Sequence, residues 1–279
     1  MTDFLEALAS RDNTAKDDFI VDGIRHCAVC NEPKQAWIDW PNLDGAMEKH
    51  LVAVTCDCDR KREAEEEDRQ AELRFQESLR HYQLAINGNL KNPRGRFEND
   101  DSNGSIYATC RNYVSKWEEI RKVNDGILFY GAKGTGKSFY AGAIVNALIE
   151  KRIPAVMTTT AKLMMSMSNW DNREDCLDAI CHVPMLALDD LGAERDTSYS
   201  AEMMYNVVNE RYEAQLPTIV TTNLDLREMR DETDIWRSRI YDRVIEMCPI
   251  TIKMDGNSRR LGIAGEHKAQ ARELLRGES

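Results

Sequence analysis

A glycine-rich stretch near the middle of the chain has the residue types and spacing of a phosphate-binding loop. The pattern G-x-x-x-x-G-K-[ST] is matched by Gly131, Ala132, Lys133, Gly134, Thr135, Gly136, Lys137 and Ser138, with Phe139 next in the chain. Glycines let consecutive backbone N–H groups curl around a polyphosphate, and a following helix adds the positive end of its dipole. Lys137 would then reach the β- and γ-phosphates of ATP, and Ser138 would bind Mg²⁺. The stretch therefore predicts a nucleotide-binding loop.

The segments on either side of this loop have the periodicity that such a loop requires. Residues 126–130 are an apolar run typical of a buried strand, and residues 139–152 carry apolar side chains at helical spacing. The alternative is a plain strand-to-helix turn without a ligand. Further strands are predicted at 154–159, 183–189, 216–221 and 249–254, and further helices at 105–122, 162–168, 201–213 and 236–244. This alternation predicts an α/β fold with a five-stranded, mainly parallel sheet covered on both faces.

Two adjacent carboxylates, Asp189 and Asp190, stand at the end of the third predicted strand. In a P-loop ATPase such a pair divides two tasks. Asp189 would hold Mg²⁺ together with Ser138, and Asp190 would orient and help deprotonate the attacking water. Without a cation, two acids at the end of a buried strand cost desolvation and repel each other. The pair therefore predicts a magnesium ligand and a catalytic acid.

Polar and basic residues after the later strands extend this pattern. Asn223 follows the fourth predicted strand, where it would hydrogen-bond the γ-phosphate or the lytic water; an ordinary asparagine turn is the alternative. Arg239 and Arg243 are four residues apart on a predicted helix and share one face. A guanidinium directed at the transferring phosphoryl group is worth about 10³–10⁵ in rate. Surface salt bridges to Asp242 and Glu246 are the alternative for the two arginines.

Four cysteines near the start of the chain have the spacing of a metal site. Cys27 and Cys30 form C-x₂-C, and Cys56 and Cys58 form C-x-C about 25 residues later. Paired thiolates on two tight turns suit tetrahedral zinc, and bound zinc supplies on the order of 10 kcal/mol to a module too small to fold on apolar residues alone. Four unligated thiols are the alternative. The expected small core consists of Trp37, Ile38, Trp40, Leu51, Val52 and Val54, and the expected packing cysteines are Cys110, Cys176, Cys181 and Cys248.

The composition limits the classes of function. The 279 residues are enough for one sizeable α/β core and a smaller appendage, and the net charge of −11 excludes a generally basic nucleic-acid binder. The first residues lack the basic and apolar segments of a secretory signal, and no apolar run approaches the roughly 20 residues that span a bilayer. We therefore expect a cytoplasmic protein without a membrane partner, whose cysteines are reduced.

The order of the motifs from about residue 97 to 261 resembles that of the AAA+ ATPases that load bacterial replicative helicases, the DnaC/DnaI-type loaders. The matching strings are GAKGTGKS, LALDDLGAE, NERY, PTIVTTNL, RIYDR and GNSRR. This resemblance implies that Asn223 is the sensor-1 residue and Arg243 the arginine finger, with Arg239 beside it. It also implies that Arg260, or else Arg259, is the sensor-2 arginine. One departure is Asp190, which stands where many AAA+ proteins have Glu.

The same resemblance implies a domain order, an activity and partners. It predicts a zinc-binding helicase-interaction module at 1–60 and a AAA+ ATPase domain without a full helical lid at 97–265. Between these, acids and bases at three- and four-residue spacing predict a charged helix and linker at 61–96, and a charged tail is predicted at 266–279. The expected activity is Mg²⁺-dependent ATP hydrolysis that is weak until subunits assemble through their ATP sites. The expected partners are a hexameric replicative helicase and single-stranded DNA, in a bacterial cell or a phage-infected host.

The sequence itself supports DNA binding only through two short groups of basic, polar and aromatic residues. Two groups of residues are the candidates: Lys91, Arg94, Arg96 and Phe97, and then Lys162, Ser166, Ser168 and Trp170. Trp170 would either stack on a base or cap a helix against the sheet.

Three other functions remain as alternatives. The first is a transposition helper of the same ATPase clade, which assembles on DNA and activates a transposase. The second is a P-loop nucleotide kinase, and the third is a zinc-binding adaptor whose P-loop does not turn over ATP.

Overall fold

The computed structural model describes residues 18–42, 44–88, 95–100, 104–193 and 197–256. The chain divides into two compact units, Met1–Leu73 and Arg74–Ser279. Several predicted features lie outside the described residues: Arg259, Arg260, the tail at 266–279, and the Lys91 and Arg94 pair. The domain boundaries predicted at residues 60, 96 and 265 stay predictions. In the part of the chain that is described, no helix combines the length and apolar character needed to cross a membrane.

The first unit contains two separate hairpins and the first part of a long helix. Strands β1 (Phe19–Val21) and β2 (Ile24–His26) pair antiparallel, as do β3 (Gln35–Pro41) and β4 (Met47–Ala53). Helix α1 (Asp57–Ala85) confirms the predicted charged helix. The expected core is wrong for Trp37, Trp40 and Val54, which are all exposed. A two-stranded sheet without an opposing layer leaves such side chains in solvent, and Cys27 and Cys56 are the buried apolar residues among those described in this unit.

The second unit is built on a five-stranded parallel sheet, which confirms the predicted α/β class. Its strands follow the spatial order β6-β7-β8-β5-β9. Their bounds are β5 (Ile127–Tyr130), β6 (Ala155–Thr159), β7 (Met185–Leu191), β8 (Thr218–Thr222) and β9 (Ile250–Lys253). The helices between and after them are α4 (Lys137–Glu150), α5 (Thr160–Ser168), α6 (Arg173–His182), α7 (Ser198–Glu213), α8 (Leu226–Arg230) and α9 (Ile235–Met247).

The single helix predicted at 105–122 is wrong, because two helices occupy this segment. They are α2 (Ser105–Ser115) and α3 (Trp117–Val123), and Lys116 between them leaves helical geometry. The ammonium of Lys151 donates to the carbonyl oxygen of Val114 at 2.9 Å, which satisfies a backbone acceptor in the last turn of α2. Periodicity did not reveal this break, since apolar residues continue at helical spacing across it.

Both faces of the sheet are covered, as its apolar strands require. Ile127 and Phe129 of β5 belong to one hydrophobic cluster, whereas Leu128 between them belongs to the other. Cys110, Cys176 and Cys248 are fully buried in these clusters, so their packing role is confirmed. Cys181 is half-buried.

The strand order determines which side chains meet at the carboxyl edge of the sheet. Strand β8 lies between β5 and β7 and is parallel to both. The glycine-rich loop after β5, the acids at the end of β7 and Asn223 after β8 therefore leave the sheet at the same edge. Open parallel sheets bind ligands at this edge.

Candidate functional site

The glycine-rich loop connects β5 to α4 with backbone conformations that favour glycine. Gly131 has a φ of 115°, and a Cβ built on it would lie 2.8 Å from the carbonyl oxygen of Met254. Gly136 has a φ of 106° and is the N-cap of α4, with no side-chain cap. Because the first N–H groups of a helix lack intrahelical acceptors, this N-terminus is suited to an anionic ligand. The loop thus has the geometry expected of a phosphate cradle.

Lys137 is the first residue of α4, and its side chain turns back over the loop. Its ammonium donates to the carbonyl oxygens of Gly131 at 2.8 Å and Ala132 at 2.6 Å. The hydroxyl of Thr135 also donates to the oxygen of Ala132, at 2.9 Å. The side chain of Lys137 is buried, so a cationic group is held at the centre of the loop. An ammonium at this position is the counter-charge that a bound polyphosphate requires.

Asp189 lies near the end of β7 and is buried. Its carboxylate accepts a hydrogen bond from the hydroxyl of Thr221 on the neighbouring strand β8, with an O–O distance of 2.6 Å. Such a bond to a charged acceptor is short and fixes the direction of the carboxylate. Asp189 is therefore oriented by the strand that runs between β7 and the strand carrying the phosphate loop.

Asp190 sits in a β-bulge with a left-handed backbone. The pairing of β7 with β8 shifts between Leu188 and Leu191, and the φ of Asp190 is 59°. Two threonines hold this bulge: the N–H of Asp190 donates to the hydroxyl of Thr221 at 3.0 Å, and Thr160 donates to its carbonyl oxygen at 3.1 Å. Asp adopts this conformation more readily than most non-glycine residues. Bulges beside functional sites commonly redirect a side chain, and this one lies directly beside the buried Asp189.

Asn223 is half-buried directly after β8. The turn that follows is closed by its neighbour, because the N–H of Leu224 donates to the hydroxyl of Thr222 at 3.2 Å. Thr222 thus takes part in this turn, and the role of Asn223 stays a prediction.

The two arginines of α9 contact aromatic rings. The guanidinium carbon of Arg243 lies 4.6 Å from the ring centre of Tyr205, and that of Arg239 lies 5.8 Å from the ring of Trp236. Arg243 is half-buried and Arg239 is exposed. Glu246, one of the acids expected to form a salt bridge with them, instead accepts a hydrogen bond from Tyr212 at 2.8 Å. The structure places both arginines on the surface of α9, among aromatic side chains of α7 and α9.

The four cysteines of the first unit come together. The Sγ atoms of Cys27, Cys30, Cys56 and Cys58 all lie within 4.8 Å of one another. The first pair lies on a turn closed by the N–H of Asn31, which donates to the carbonyl oxygen of Cys27 at 2.9 Å. The second pair lies at the N-terminus of α1, whose dipole favours thiolates. This donor set and its compactness fit tetrahedral zinc.

The environment of the four thiols also fits a metal site. Backbone N–H groups of Cys30 and Val29 donate toward Cys27 and lower the pKa of its thiol to about 7. Burial raises the pKa of Cys56 to about 12, and the adjacent Cys30 thiol raises that of Cys58 to about 11. Four sulfurs this close cannot all ionise without a cation, whereas zinc would stabilise them as thiolates. His26, whose Nδ1 lies 2.9 Å from the carbonyl oxygen of Asn31, is not part of the cluster.

The two groups predicted to contact DNA have different environments. Arg96 forms an ion pair with Glu150 at 3.0 Å, and Phe97 is buried, so these two residues do not present a basic aromatic surface. Trp170 is 83% exposed, and the guanidinium carbon of Arg173 lies 5.9 Å from the centre of its ring. Trp170 therefore does not cap a helix against the sheet.

Sequence reasoning missed the side chains that support the predicted residues. Thr221 and Thr160 hold the two acids, and Tyr205 and Tyr212 flank Arg243. The available signal for Thr221 was the pair of threonines, Thr221 and Thr222, at the carboxyl end of β8. The partner of each one depends on strand order, which periodicity does not provide.

Comparisons with known proteins agree with this architecture. A family model described as "IstB-like ATP binding protein" matches residues 112–268, which is more than half of the chain. The replicative helicase loader DnaI of Bacillus subtilis (strain 168) is 26% identical over 174 residues, which cover 58% of this chain and 55% of that protein. The replicative helicase loader DnaC of Escherichia coli (strain K12) is 28% identical over 142 residues, which cover 48% and 57%. The chain thus spans little more than half the length of these curated relatives.

Solved structures show the same fold. The crystal structure of DnaI matches with a TM-score of 0.50 and 22% identity, over 60% of this chain and 90% of that one. The crystal structure of the DnaC helicase loader matches with a TM-score of 0.51 and 22% identity, over 58% and 97%. At such identity the likeness establishes the fold alone, which is the predicted AAA+ fold. The match to the family model shows that this chain belongs to the IstB-like ATP-binding protein family.

Proposed function

We propose that this protein is an ATP-dependent loader that places a hexameric replicative DNA helicase onto single-stranded DNA. The observation that carries the proposal is the convergence of Lys137, Asp189 and Asn223 at one edge of a sheet whose fold is that of DnaI and DnaC. The names of the two relatives supply the class of partner. ATP binding and hydrolysis would switch between assembly on the helicase and release.

Each residue of the nucleotide site has a distinct task in this proposal. The N–H groups of the loop and the ammonium of Lys137 bind the β- and γ-phosphates. Ser138 and Asp189 hold Mg²⁺, which neutralises charge on the phosphates. Asp190 orients and deprotonates the attacking water, and Asn223 hydrogen-bonds the γ-phosphate or that water. Arg260, with Arg259 as the other candidate, is the proposed sensor-2 residue.

Self-association completes the site in this proposal. Arg243 is the arginine finger that one copy directs at the nucleotide of the next, and Arg239 lies beside it on α9. Hydrolysis therefore stays weak in a single copy and rises on assembly. Such a dependence suits a switch that responds to its partners.

The cysteine module is the proposed contact with the helicase. Its fold depends on zinc, because the described part of this unit has few buried apolar side chains. Exposed apolar residues such as Trp37 and Met47 lie on its second hairpin and are suited to a protein partner. Exposed Trp170 is the proposed stacking platform for single-stranded DNA. All these partners place the proposed activity in the cytoplasm of a bacterium or a phage-infected host.

Co-purification with the replicative helicase from the same source tests the proposal. The full chain is mixed with the helicase in four conditions, with and without ATP and with and without single-stranded DNA. The proposal predicts a complex that forms with ATP and dissociates when ATP is hydrolysed. Absence of a complex in all four conditions would contradict it.

A transposition helper of the same ATPase clade remains the second candidate. The cysteine module and the names of the relatives favour the loader. Capture of a transposase in place of the helicase, in the same assay, would favour the helper.

A further inference from the structure

Two tyrosines of α7 enclose the guanidinium of Arg243. The guanidinium carbon lies 4.6 Å from the ring centre of Tyr205 and 5.5 Å from that of Tyr212. A third ring, that of Trp236, lies 5.3 Å from Tyr205. We call Tyr205 and Tyr212 the aromatic clamp. Neither residue belongs to the glycine-rich loop or to the acidic pair, and both lie on a different helix from the arginine they contact.

The sequence of α7 accounts for this arrangement. Tyr205 and Tyr212 are seven residues apart, which is close to two helical turns, so they project from one face. Helices α7 and α9 share a hydrophobic cluster through Val208 and Val244, and this packing fixes the distance between the two helices. The hydroxyl of Tyr212 donates to the carboxylate of Glu246 on α9, at 2.8 Å. The rings are therefore held by the core below them and by a hydrogen bond to the helix that carries Arg243.

Stacking on an aromatic ring restrains the guanidinium of an arginine and leaves its N–H groups available for hydrogen bonds. A guanidinium is attracted to the face of an aromatic ring by the ring quadrupole. Its N–H donors lie in its own plane and remain directed outward, where they suit an anionic oxygen. An unsupported arginine at a surface samples many rotamers, and each one that misses the phosphate lowers the rate of transfer. Contact with the two rings of α7 therefore reduces the number of rotamers that Arg243 samples.

We propose that Tyr205 and Tyr212 are positioning residues that hold Arg243 ready for the nucleotide of a neighbouring copy of this chain. This inference rests on the proposed function, in which Arg243 acts across the junction between copies. According to this inference, the paired aromatic rings on α7 determine how strongly one copy stimulates ATP hydrolysis in the next copy.

The test is ATP turnover by the full chain at a protein concentration that gives maximal assembly, with a poly-dT oligonucleotide. Tyr205→Leu removes the closer ring and is expected to lower kcat about fivefold with an unchanged KM for ATP, as expected for one cation–π contact. Tyr205→Phe keeps the ring and is expected to retain the activity. Tyr199→Leu is the matched control, since Tyr199 lies on the same helix with its side chain exposed. Thermal unfolding of each variant shows whether the fold is retained.

Mixed assemblies locate the defect on one side of the junction. Lys137→Ala copies cannot use ATP but retain Arg243 and the clamp, whereas Tyr205→Leu copies retain the nucleotide site. Adding Lys137→Ala copies to Tyr205→Leu copies should therefore raise the turnover of each functional site toward that of the unaltered chain. A damaged fold or a damaged nucleotide site in Tyr205→Leu would not be rescued in this way.

Measuring Arg243→Ala in the same mixtures distinguishes the arginine-finger role of Arg243 from the positioning role of the aromatic clamp. If Arg243→Ala alone retains full turnover, the arginine-finger role fails and the proposed function loses that step. If Arg243→Ala is inactive and rescued by Lys137→Ala, while Tyr205→Leu equals the unaltered chain, the clamp inference is overturned and the finger role stands. A Tyr205→Leu defect that Tyr205→Phe shares, or that Lys137→Ala copies do not rescue, also overturns the clamp.

Discussion

The hydroxyl of Thr221 donates to the carboxylate of Asp189 at 2.6 Å and accepts the N–H of Asp190 at 3.0 Å. One buried side chain on β8 thus fixes both acids at the end of β7. Because β8 continues into Asn223, the same strand connects the proposed magnesium ligand to the proposed sensor of the γ-phosphate. The hydroxyl of Thr221 therefore holds the carboxylate of Asp189 and the backbone of Asp190 in place.

Thr221→Val should lower kcat by about tenfold to a hundredfold, because a hydrogen bond to a charged group is worth about 1.5–3 kcal/mol. The substitution keeps the shape of the side chain and removes its hydroxyl. Thr221→Ser keeps the hydroxyl and is the matched control, with an expected loss below about threefold. Steady-state ATP turnover at saturating Mg²⁺ checks the pair. Equal rates for the two variants would mean that the bond does not position Asp189.

Arg243→Ala should abolish hydrolysis and leave nucleotide binding intact. Loss of an arginine finger costs about 10³-fold or more in rate, whereas the loop and Lys137, which are proposed to bind the phosphates, are unchanged. The two quantities are measured separately, as turnover by the assembled protein and as the Kd of a fluorescent ATP analogue. Arg227→Ala, an exposed arginine of α8, serves as the control and should match the unaltered chain. Turnover that survives in Arg243→Ala would remove its assigned role.

Zinc binding should depend on the four clustered cysteines and on pH. The pKa values of Cys56 and Cys58 lie at about 12 and 11, so both thiols carry protons at neutral pH without a metal. Binding must displace at least these two protons, so affinity should rise by about a hundredfold or more per pH unit between pH 6 and 8. Competition with a chromophoric chelator measures this dependence. A pH-independent affinity would argue against thiolate ligation.

A stoichiometry measurement accompanies the pH series. Cys30→Ser should lose bound zinc, whereas Cys181→Ser should retain about one zinc per chain, because Cys181 lies outside the cluster. Metal analysis of the purified proteins gives both values. Zinc retained by Cys30→Ser would place the metal elsewhere.

Arg211→Met should destabilise the second unit by about 3 kcal/mol or more, because several buried acceptors would lose their donors together. The fully buried guanidinium of Arg211 donates to four carbonyl oxygens and to the hydroxyl of Thr218. The carbonyls belong to Ile180, Val183, Pro184 and Pro217, at distances of 2.5–3.1 Å. Burial lowers the pKa of Arg211 to about 9.

Denaturant unfolding followed by circular dichroism measures this effect. Arg230→Ala, an exposed arginine of α8, is the control and should change the free energy of unfolding by less than about 0.5 kcal/mol. Similar stabilities of the two variants would show that water replaces the guanidinium without cost.

Local patterns in the sequence predicted most of the strands and helices of the second unit. The glycine-rich string predicted the phosphate loop, and apolar runs predicted all five strands to within a few residues. Alternating burial of Ile127, Leu128 and Phe129 shows why this worked: a strand with helices on both faces must be continuously apolar.

Contacts between residues far apart in the sequence could not be predicted from local sequence patterns. Thr221 is one of several threonines in its strand, and only the position of β8 beside β7 identifies it as the partner of Asp189. Likewise, Trp37 and Trp40 were predicted to be core residues from their apolar character alone. Their burial would require an opposing layer, and both are exposed among the described residues. The left-handed backbone of Asp190 is a consequence of a bulge that no single-strand pattern predicts.

Binding of a fluorescent ATP analogue to Lys137→Ala, beside the unaltered chain, tests the central claim most directly. The claim is that ATP binds at the carboxyl edge of the sheet with its phosphates on the ammonium of Lys137. Lys122→Ala, an exposed lysine of α3, is the charge-matched control. The account predicts tight Mg²⁺-dependent binding by the unaltered chain and by Lys122→Ala, and none by Lys137→Ala. Undiminished binding by a folded Lys137→Ala protein would contradict it.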